Sequence, residues 1–333
     1  MNTTIKDVAR EANVSPSTVS RVLAGNPRIS DETKERVLET IKKLNYHPNA
    51  IARSLANSQT HTLGLILPSE GDDLFKNPFF IQVMTGISVY AQKKGYYIMY
   101  AFSKNENEEV NFIKNYTNSR LVDGIILLTS RANDKCIKFL NKISYPFVVV
   151  GRPENTENTL WVDNDNFQAM YKVVNTLIMK GHRSIAFIGG PKDWNMSKDR
   201  LDGYKRAFQV HGINFNDNLI AQENDFTEEC GMEGMRKILD FTMPSAVVTT
   251  DDLLAFGANA VLEEKKIKDI SLVGFNNTPL AAYQTPSLSS VDINANKLGY
   301  YAAKLLIDKL KDSSITDNHY IIETNLIERD SII

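Results

Sequence analysis

The sequence predicts an N-terminal all-α helix-turn-helix headpiece followed by an α/β body of two doubly wound parallel-sheet halves. Helical spacing of apolar residues covers about residues 3–45, a segment too short to enclose a large core. From residue 61, short apolar runs alternate with helical stretches in two blocks, about 61–162 and 164–292. A content of 42% hydrophobic and 23% charged residues is ordinary for a globular chain of 333 residues.

Two short helices are predicted at the start of the headpiece. The first has apolar residues at i, i+3, i+4 and i+7, namely Ile5, Val8, Ala9 and Ala12. Ser15 suits the N-cap of the second helix, and Pro16 suits its first position, where the missing N–H costs nothing. The second helix is then expected to bury Val19, Val22 and Leu23 and to expose Ser17, Thr18, Ser20 and Arg21.

A third helix is predicted from Ser30, a good N-cap, to about Asn45, and it closes a helix-turn-helix. The exposed face of the second helix suits the major groove of DNA. Small hydroxyl side chains allow close approach there, and Arg21 can bind guanine through two hydrogen bonds. A plain three-helix bundle is the alternative.

The charge distribution also favours DNA as the partner of the headpiece. Residues 1–60 contain nine Lys/Arg and six Asp/Glu, a net +3, which leaves 29 basic and 34 acidic residues, or −5, for the rest of the chain. A basic head on an acidic body indicates an anionic partner for the head alone.

Three segments give the chain a family resemblance. "TIKDVAREANVSPSTVSRVLAGNPRIS", "LNYHPNAIARSLANSQTHTLGLI" and "KGHRSIAFIGG" resemble the LacI/GalR family of bacterial transcription regulators. The resemblance spans essentially the whole chain and implies a periplasmic-binding-protein-like body. Together with the helix pattern, it predicts the DNA-binding residues Thr4, Pro16, Ser17, Thr18, Ser20, Arg21, Arg28, Tyr46, Asn49, Arg53 and Leu55.

Residues 49–60 are predicted to connect the head to the body. Ile51 and Leu55 are spaced i, i+4 and alanines favour a helix, but so short a helix is unstable alone. The resemblance implies a hinge helix that orders on operator DNA, where Leu55 wedges into the minor groove beside contacts from Asn49 and Arg53. A generic linker is the alternative.

The predicted strands of the body are continuous Val/Ile/Leu runs, typical of parallel sheets covered on both faces. They are "TLGLILP", "YYIMYAF", "GIILLTS", "PFVVVG", "SIAFIGG", "AVVTTDD", "SLVGFNN" and "LSSVDIN", with helices such as "PFFIQVMTGISVYAQKKG" and "FQAMYKVVNTLIMKG" between them. The predicted domains are the headpiece 1–48, the hinge 49–60, the N-terminal half 61–162 plus 293–322 and the C-terminal half 163–292 plus 323–333.

The motifs argue against an enzyme. GxGxxG, GxxxxGK[ST] and GxSxG are all missing, and "GGP" is read as a tight turn. Two distant cysteines and five scattered histidines do not suit a zinc site, and no cofactor is predicted.

The N-terminus lacks the apolar segment of an export signal, so we expect a cytoplasmic protein with free thiols at Cys136 and Cys230.

The cleft between the two halves is the predicted effector pocket, because ligands bind beyond the carboxyl ends of such strands. Arg200 can hold two ligand oxygens, Asp252 can accept from sugar hydroxyls and Phe226 can cover a ring face. The resemblance assigns the same roles and adds Phe79, Phe80, Asp163 and Asn164, while Trp194 is a further aromatic close to Arg200 in the chain. The full predicted set is Phe79, Phe80, Asp163, Asn164, Trp194, Arg200, Phe226 and Asp252. Core positions for the aromatics and surface salt bridges for the charged pair are the alternatives.

The segments "KNPFF", "WVDNDNFQA" and "SKDRLDGY" resemble, within that family, the maltose-operon repressors of Gram-positive bacteria. This implies maltose or a maltodextrin as the effector, while a purine that stacks on Phe226 stays open. The family often has Asp where "LVGFNN" has Asn276, so a contact or cleft-edge salt bridge of its relatives is expected to be missing.

The sequence therefore predicts a homodimeric repressor that binds pseudo-palindromic operator DNA. The resemblance alone implies that a sugar acts as its inducer and releases it from the DNA. The dimer follows from symmetry, because one helix-turn-helix reads only a few base pairs. No heptad pattern follows residue 312, which favours a dimer over a tetramer. Corepression, a regulator that uses a protein corepressor and a sugar-binding protein without DNA function stay open as alternatives.

Overall fold

A computed structural model describes residues 3–23, 25–47, 59–68, 77–214 and 216–333. The chain divides into two compact units, Met1–Thr60 and His61–Ile333. Three residues of the predicted hinge, Asn49, Arg53 and Leu55, lie outside the described residues. Within the described ranges, no helix combines the length and the apolar character that crossing a membrane requires.

The first unit contains three helices, α1 (Ile5–Glu11), α2 (Pro16–Leu23) and α3 (Asp31–Lys43). Asn13 takes a positive φ of 52° in the turn between α1 and α2. The Ser15 hydroxyl accepts a hydrogen bond from the Thr18 N–H at 3.1 Å, which confirms the predicted cap. The shared core consists of Val8, Ala9, Ala12, Val19, Val22, Val37 and Tyr46.

One buried position in this unit was predicted wrongly. Leu23 is 36% exposed. It is the last residue of α2, and the helical step of about 100° from Val22 turns its side chain toward solvent.

The second unit alternates strands and helices. Its strands are β1 (Thr62–Leu67), β2 (Tyr97–Phe102), β3 (Gly124–Leu127), β4 (Phe147–Val150), β5 (Leu160–Asn164), β6 (Ile185–Gly189), β7 (Ile220–Gln222), β8 (Ala246–Thr249), β9 (Ser271–Phe275), β10 (Ser289–Asp292), β11 (His319–Ile322) and β12 (Asn325–Ile327). Its α-helices are α4 (Pro78–Lys93), α5 (Glu106–Asn118), α6 (Lys135–Lys142), α7 (Asn166–Met179), α8 (Asn195–Val210), α9 (Glu228–Phe241), α10 (Asp252–Glu264) and α11 (Ala295–Lys311).

The strands form two six-stranded sheets, in the orders β11-β5-β4-β3-β1-β2 and β12-β10-β9-β8-β6-β7. We call the first sheet with its helices the first lobe, and the second sheet with its helices the second lobe. Every neighbouring pair is parallel except β10 and β12, which are antiparallel. The two doubly wound halves are therefore confirmed, with one antiparallel edge strand that the sequence did not predict.

All eight predicted strands are present, and apolar side chains cover both faces of the central ones. Four strands were missed, namely β5, β7, β11 and β12. β7 and β12 have three residues each, and β5 ends in polar residues, so none shows a long apolar run. β5 runs to Asn164, two residues past the predicted boundary at 162.

The chain passes between the two sheets after β5, after β10 and after β11. The side-chain amide of Asn164, at the end of β5, donates to the carbonyl oxygens of Ile293 at 3.0 Å and Ile322 at 2.9 Å. A single side chain therefore ties all three crossing segments together.

Candidate functional site

A cleft lies between the lobes, where the carboxyl ends of the strands meet. Its empty space, with the open mouth included, is about 630 Å³, within the size range of small-molecule sites. Seven of the eight predicted effector residues line it; the eighth, Asp252, does not. The lining is Asn77, Phe79, Phe80, Leu128, Thr129, Ser130, Val150, Gly151, Arg152, Asp163, Asn164, Asn166, Trp194, Met196, Arg200, Phe226, Asp251, Asn276, Ile293 and Leu298.

Arg200 occupies the floor of the cleft and is only 2% exposed, which excludes a surface salt bridge. Its Nε donates to Asn166 Oδ1 at 2.9 Å and its Nη1 donates to the carbonyl oxygen of Thr250. Its guanidinium carbon lies 3.7 Å from the centre of the Phe275 ring. Burial lowers the pKa of Arg200 to about 9, so the group stays cationic at neutral pH and is held in one orientation.

Asp163 lies close to this arginine at the end of β5. It accepts hydrogen bonds from the Arg152 N–H at 3.0 Å, the Asn164 N–H at 2.8 Å and Asn166 Nδ2 at 3.0 Å. Asn166 therefore connects the carboxylate to the guanidinium. Burial raises the pKa of Asp163 to about 6 in spite of these donors.

The second carboxylate of the cleft is Asp251, and the choice of Asp252 was wrong. Asp252 is fully buried beneath the cleft, where it accepts from the Thr278 N–H at 2.7 Å, the Thr278 hydroxyl at 2.9 Å and the Ser290 hydroxyl at 2.6 Å. Asp251 is the N-cap of α10 and accepts from the Leu253 N–H at 2.8 Å. The predicted strand "AVVTTDD" ends early, at Thr249, which turns the first of the two acids toward the cleft.

The predicted aromatics stand in two pairs. Phe79 and Phe80 open α4 with ring centres 5.3 Å apart, and Trp194 and Phe226 meet edge to face at 5.2 Å. Phe226 also covers Gly190 so closely that a Cβ there would lie 2.2 Å from its ring. "GGP" is thus more than a turn, because Gly190 makes room for a cleft aromatic.

Hydrogen bonds join the lobes at one end of the cleft. The Ala132 N–H donates to the Asp193 carbonyl at 2.8 Å, and the Asn195 N–H donates to the Ser130 carbonyl at 3.1 Å. The Asn195 side chain donates to the Ser130 hydroxyl at 2.8 Å and to the Arg152 carbonyl at 3.0 Å. These bonds hold the two lobes together at this end of the cleft.

Several cleft residues were not predicted, although the sequence held a signal for some. Asn77 is the N-cap of α4 just before Pro78, a recognisable helix start. Asn166 lies within the segment "WVDNDNFQA", which resembles the maltose-operon repressors. Asn276 departs from the family pattern, yet it lines the cleft. Ser130 and Arg152 follow β3 and β4, the position that doubly wound sheets use for ligands.

The headpiece presents most of its predicted DNA contacts on one helix and the turns beside it. Pro16, Ser17, Ser20 and Arg21 are exposed on α2, and Arg28 is exposed after it. Thr18 is half-buried and bonds to Ser15, while Thr4 caps α1 through Asp7. The exception is Tyr46, which is only 9% exposed because its ring closes the headpiece core.

Both cysteines are unpaired in the structure. Cys136 and Cys230 are free thiols, and the buried Cys136 donates to Glu109 at 3.3 Å. Burial raises the pKa of the Cys136 thiol far above its usual range. Among the described residues, no three potential metal ligands come together.

Comparison with known proteins matches both parts of the chain. Residues 4–49 match the model of bacterial regulatory proteins of the lacI family, and residues 174–332 match that of the periplasmic binding protein-like domain. The chain is 38% identical over 318 residues to the HTH-type transcriptional regulator MalR of Streptococcus pneumoniae, with 94% of each chain covered. It is 34% identical to catabolite control protein A of Priestia megaterium, over 97% of this chain and 98% of that protein.

A solved structure extends the likeness to the full length. The transcriptional regulator CelR in complex with cellobiose superposes with a TM-score of 0.77 at 30% identity, covering 99% of this chain and 100% of the other.

Proposed function

The chain belongs to the lacI family of bacterial regulatory proteins, and we propose that it represses transcription until maltose or a short maltodextrin binds in its cleft. Family membership makes it a DNA-binding transcriptional regulator rather than an enzyme, in agreement with the sequence prediction. The proposal covers four further points. They are which sugar binds, whether it releases the protein from DNA, whether the protein is a dimer, and which residues contact the DNA and the sugar.

The proposal of a sugar is carried by the chemistry of the cleft. Arg200 supplies a buried donor, Asp163 and Asp251 supply acceptors, and Trp194 and Phe226 supply aromatic faces. A pyranose needs all three, because its hydroxyls both donate and accept while its C–H faces are apolar. The name of the similar MalR regulator and the cellobiose of the similar CelR structure support a sugar of this size.

The proposed DNA contacts lie on α2. Ser17, Ser20 and Arg21 form its exposed polar face, with Arg21 as the side chain that reads a guanine. Two headpieces related by a two-fold axis would read the two halves of a pseudo-palindromic operator. A second copy of the chain is therefore the proposed partner, and the exposed Tyr97 and Tyr100 of the edge strand β2 offer apolar surface for it.

Control by the sugar would act through the closure of the lobes. A ligand between the lobes binds one arrangement of them better than another, and it shifts the population by that difference in affinity. Coupling between two such sites is typically about 1–3 kcal/mol, or roughly 5- to 150-fold in affinity for the operator.

Calorimetry with the purified full chain tests this proposal. We expect heat with maltose and maltotriose, none with sucrose as the matched disaccharide control, and release from operator DNA by the same sugars in a gel-shift assay. If none of the maltodextrins gives heat, the maltose proposal is wrong, although the family membership stands.

A second candidate is a pleiotropic catabolite regulator, as the name of the similar catabolite control protein A suggests. Genome-wide footprinting separates the two candidates. Sites confined to one operon favour the local maltose repressor, and sites spread over many operons favour the global regulator.

A further inference from the structure

His61 is the residue at which the chain enters the body, directly after the predicted hinge 49–60. It precedes β1 and has a φ of 50°, in the left-handed region that residues with a side chain rarely adopt. A left-handed residue continues neither a strand nor a right-handed helix, so the chain changes direction at this point. Such a backbone persists only where the surrounding structure holds it.

Contacts on several sides hold His61 in this conformation. Its N–H donates to Asp123 Oδ2 at 2.8 Å, and its carbonyl oxygen accepts from the Tyr97 N–H at 2.8 Å. Its ring packs against Tyr96, with the ring centres 5.2 Å apart. The Asp123 N–H donates in turn to the carbonyl oxygen of Thr62 at 2.7 Å, so Asp123 contacts two successive residues of the entering chain. We call this set of contacts the hinge anchor.

The hinge anchor joins the three neighbouring strands β2, β1 and β3. Asp123 directly precedes β3 and Tyr97 begins β2, and these are the two strands that flank β1 in the sheet. Tyr97 gives its backbone N–H to His61, while its side chain, 71% exposed, belongs to the surface proposed for a second copy of the chain. The start of the hinge and that surface are therefore fixed relative to each other.

The bond between His61 and Asp123 differs from an ordinary turn. It joins residues 62 positions apart, and its acceptor is a carboxylate, which makes such bonds roughly twice as strong as neutral ones. Neither residue belongs to the described lining of the cleft. Both lie at the amino ends of their strands, whereas the cleft lies at the carboxyl ends, so the hinge anchor can be altered without touching the ligand site.

We propose that Asp123 is a positioning residue for operator binding, which fixes the point and the direction from which the hinge starts. Two headpieces bind one operator through bodies that are joined to each other, so the second contact is intramolecular and depends on how the hinges start. A loosened hinge anchor would leave each headpiece able to bind DNA, and it would lower the chance that both engage the same operator. This inference rests on the proposed dimer.

Three variants and a matched control separate this role from general stability. Asp123→Ala removes the acceptor, whereas Asp123→Asn keeps an oxygen of the same reach. His61→Gly loosens the hinge anchor from the other side, because glycine leaves the left-handed conformation readily, and it serves where Asp123→Ala does not fold. Glu108→Ala is the control, since Glu108 Oε2 also accepts a backbone N–H in the first lobe, from Lys104 at 2.9 Å.

Hydrogen exchange of the segment 59–64, followed by mass spectrometry, measures the hinge anchor itself. We expect exchange about tenfold faster in Asp123→Ala and His61→Gly than in wild type, the effect of losing one hydrogen bond to a charged group. Asp123→Asn and Glu108→Ala should exchange like wild type. Exchange at the wild-type rate in both Asp123→Ala and His61→Gly would overturn the proposal.

DNA binding gives the second readout. One probe is the duplex that the wild-type protein selects from random DNA, and the other keeps one half of that duplex and scrambles the rest. Asp123→Ala and His61→Gly should bind the whole duplex about tenfold more weakly than wild type and the half duplex equally well. Asp123→Asn and Glu108→Ala should match wild type on both.

Two results would overturn the positioning role of Asp123. One is an unchanged affinity of Asp123→Ala and His61→Gly for the whole duplex, and the other is an equal loss on both duplexes. A selected duplex without two-fold symmetry would refute the dimer and with it this role. A symmetric duplex that these variants bind as tightly as wild type does would refute the positioning role alone.

Discussion

The guanidinium of Arg131 lies 5.5 Å from the centre of the Trp194 ring, although the two residues belong to different lobes. Their backbones also form an isolated antiparallel bridge. Behind Arg131, Glu109 accepts two hydrogen bonds from its guanidinium, each 2.8 Å long. A carboxylate on α5 therefore fixes the cation that covers one aromatic wall of the cleft.

We expect Arg131→Ala to destabilise the fold by about 3–5 kcal/mol, because it leaves Glu109 buried without its partner. The side chain of Glu109 is only 4% exposed. Lys135→Ala is the matched control, since its pair with Glu106 is far more exposed and should contribute under about 1 kcal/mol. Urea unfolding measures both, and equal losses would contradict the prediction.

Arg200→Ala should abolish the response to maltose while operator binding stays normal. The change removes the buried donor of the cleft and leaves Asn166 Oδ1 and the Thr250 carbonyl without it. Losing a charged hydrogen bond costs about 1.5–3 kcal/mol, or roughly 10- to 150-fold in affinity. Calorimetry and gel shifts measure the two effects, and full maltose affinity in the variant would remove Arg200 from the site.

The stability should depend on pH through Asp163. Burial raises its pKa to about 6, so between about pH 4 and 6 the folded chain binds a proton that the unfolded chain has lost. The stabilising contribution of this proton to the free energy of unfolding is present at low pH and is lost as the pH rises. Asp163→Asn should flatten the fall of unfolding free energy in that window, by about 1–3 kcal/mol. Asp312→Asn is the exposed control, because the pKa of Asp312 is lowered by its bonds to Ser314 and it cannot give that slope.

Arg21→Ala should cost about 1–3 kcal/mol of operator affinity and relax the preference at one base pair in each half-site. Arg21 is exposed on α2, where a guanine can be reached. Arg10→Ala on α1 is the control, because Arg10 is already paired with Asp7. Binding to operators randomised at each position distinguishes a base contact from a phosphate contact, which would weaken all sequences alike.

The sequence predicted eight of the twelve strands in the described part of the chain, because buried parallel strands such as β1 and β4 are nearly continuous apolar runs. It could not predict β7 or β12, which are three residues long and are set by their neighbours in the sheet. The same limit applies to the acids. The segment "TTDD" offers two candidates for the cleft carboxylate, Asp251 and Asp252. The exact end of β8 decides which of them lines the cleft, and spacing alone does not fix that end.

For Tyr46 and Asn276, the sequence motif does not show which tertiary contacts the side chain makes. The motif marks Tyr46 as a DNA contact, whereas the small headpiece uses its ring to complete a core of seven residues. Asn276 reads as a lost contact in the sequence, because the partner of a side chain in a turn of positive φ depends on the fold around it. Contacts between residues distant in the chain were the part that spacing alone could not give.

The amide of Asn164 has consequences for how such a regulator changes over evolutionary time. Both of its hydrogens are bound to backbone carbonyls, which every amino acid provides, so the pivot it forms does not depend on the identity of its partners. The aromatic and charged side chains that line the cleft lie beside this junction and are not part of it. We therefore expect exchanges of the cleft side chains to alter the ligand preference while the bonds that join the three crossing segments stay in place.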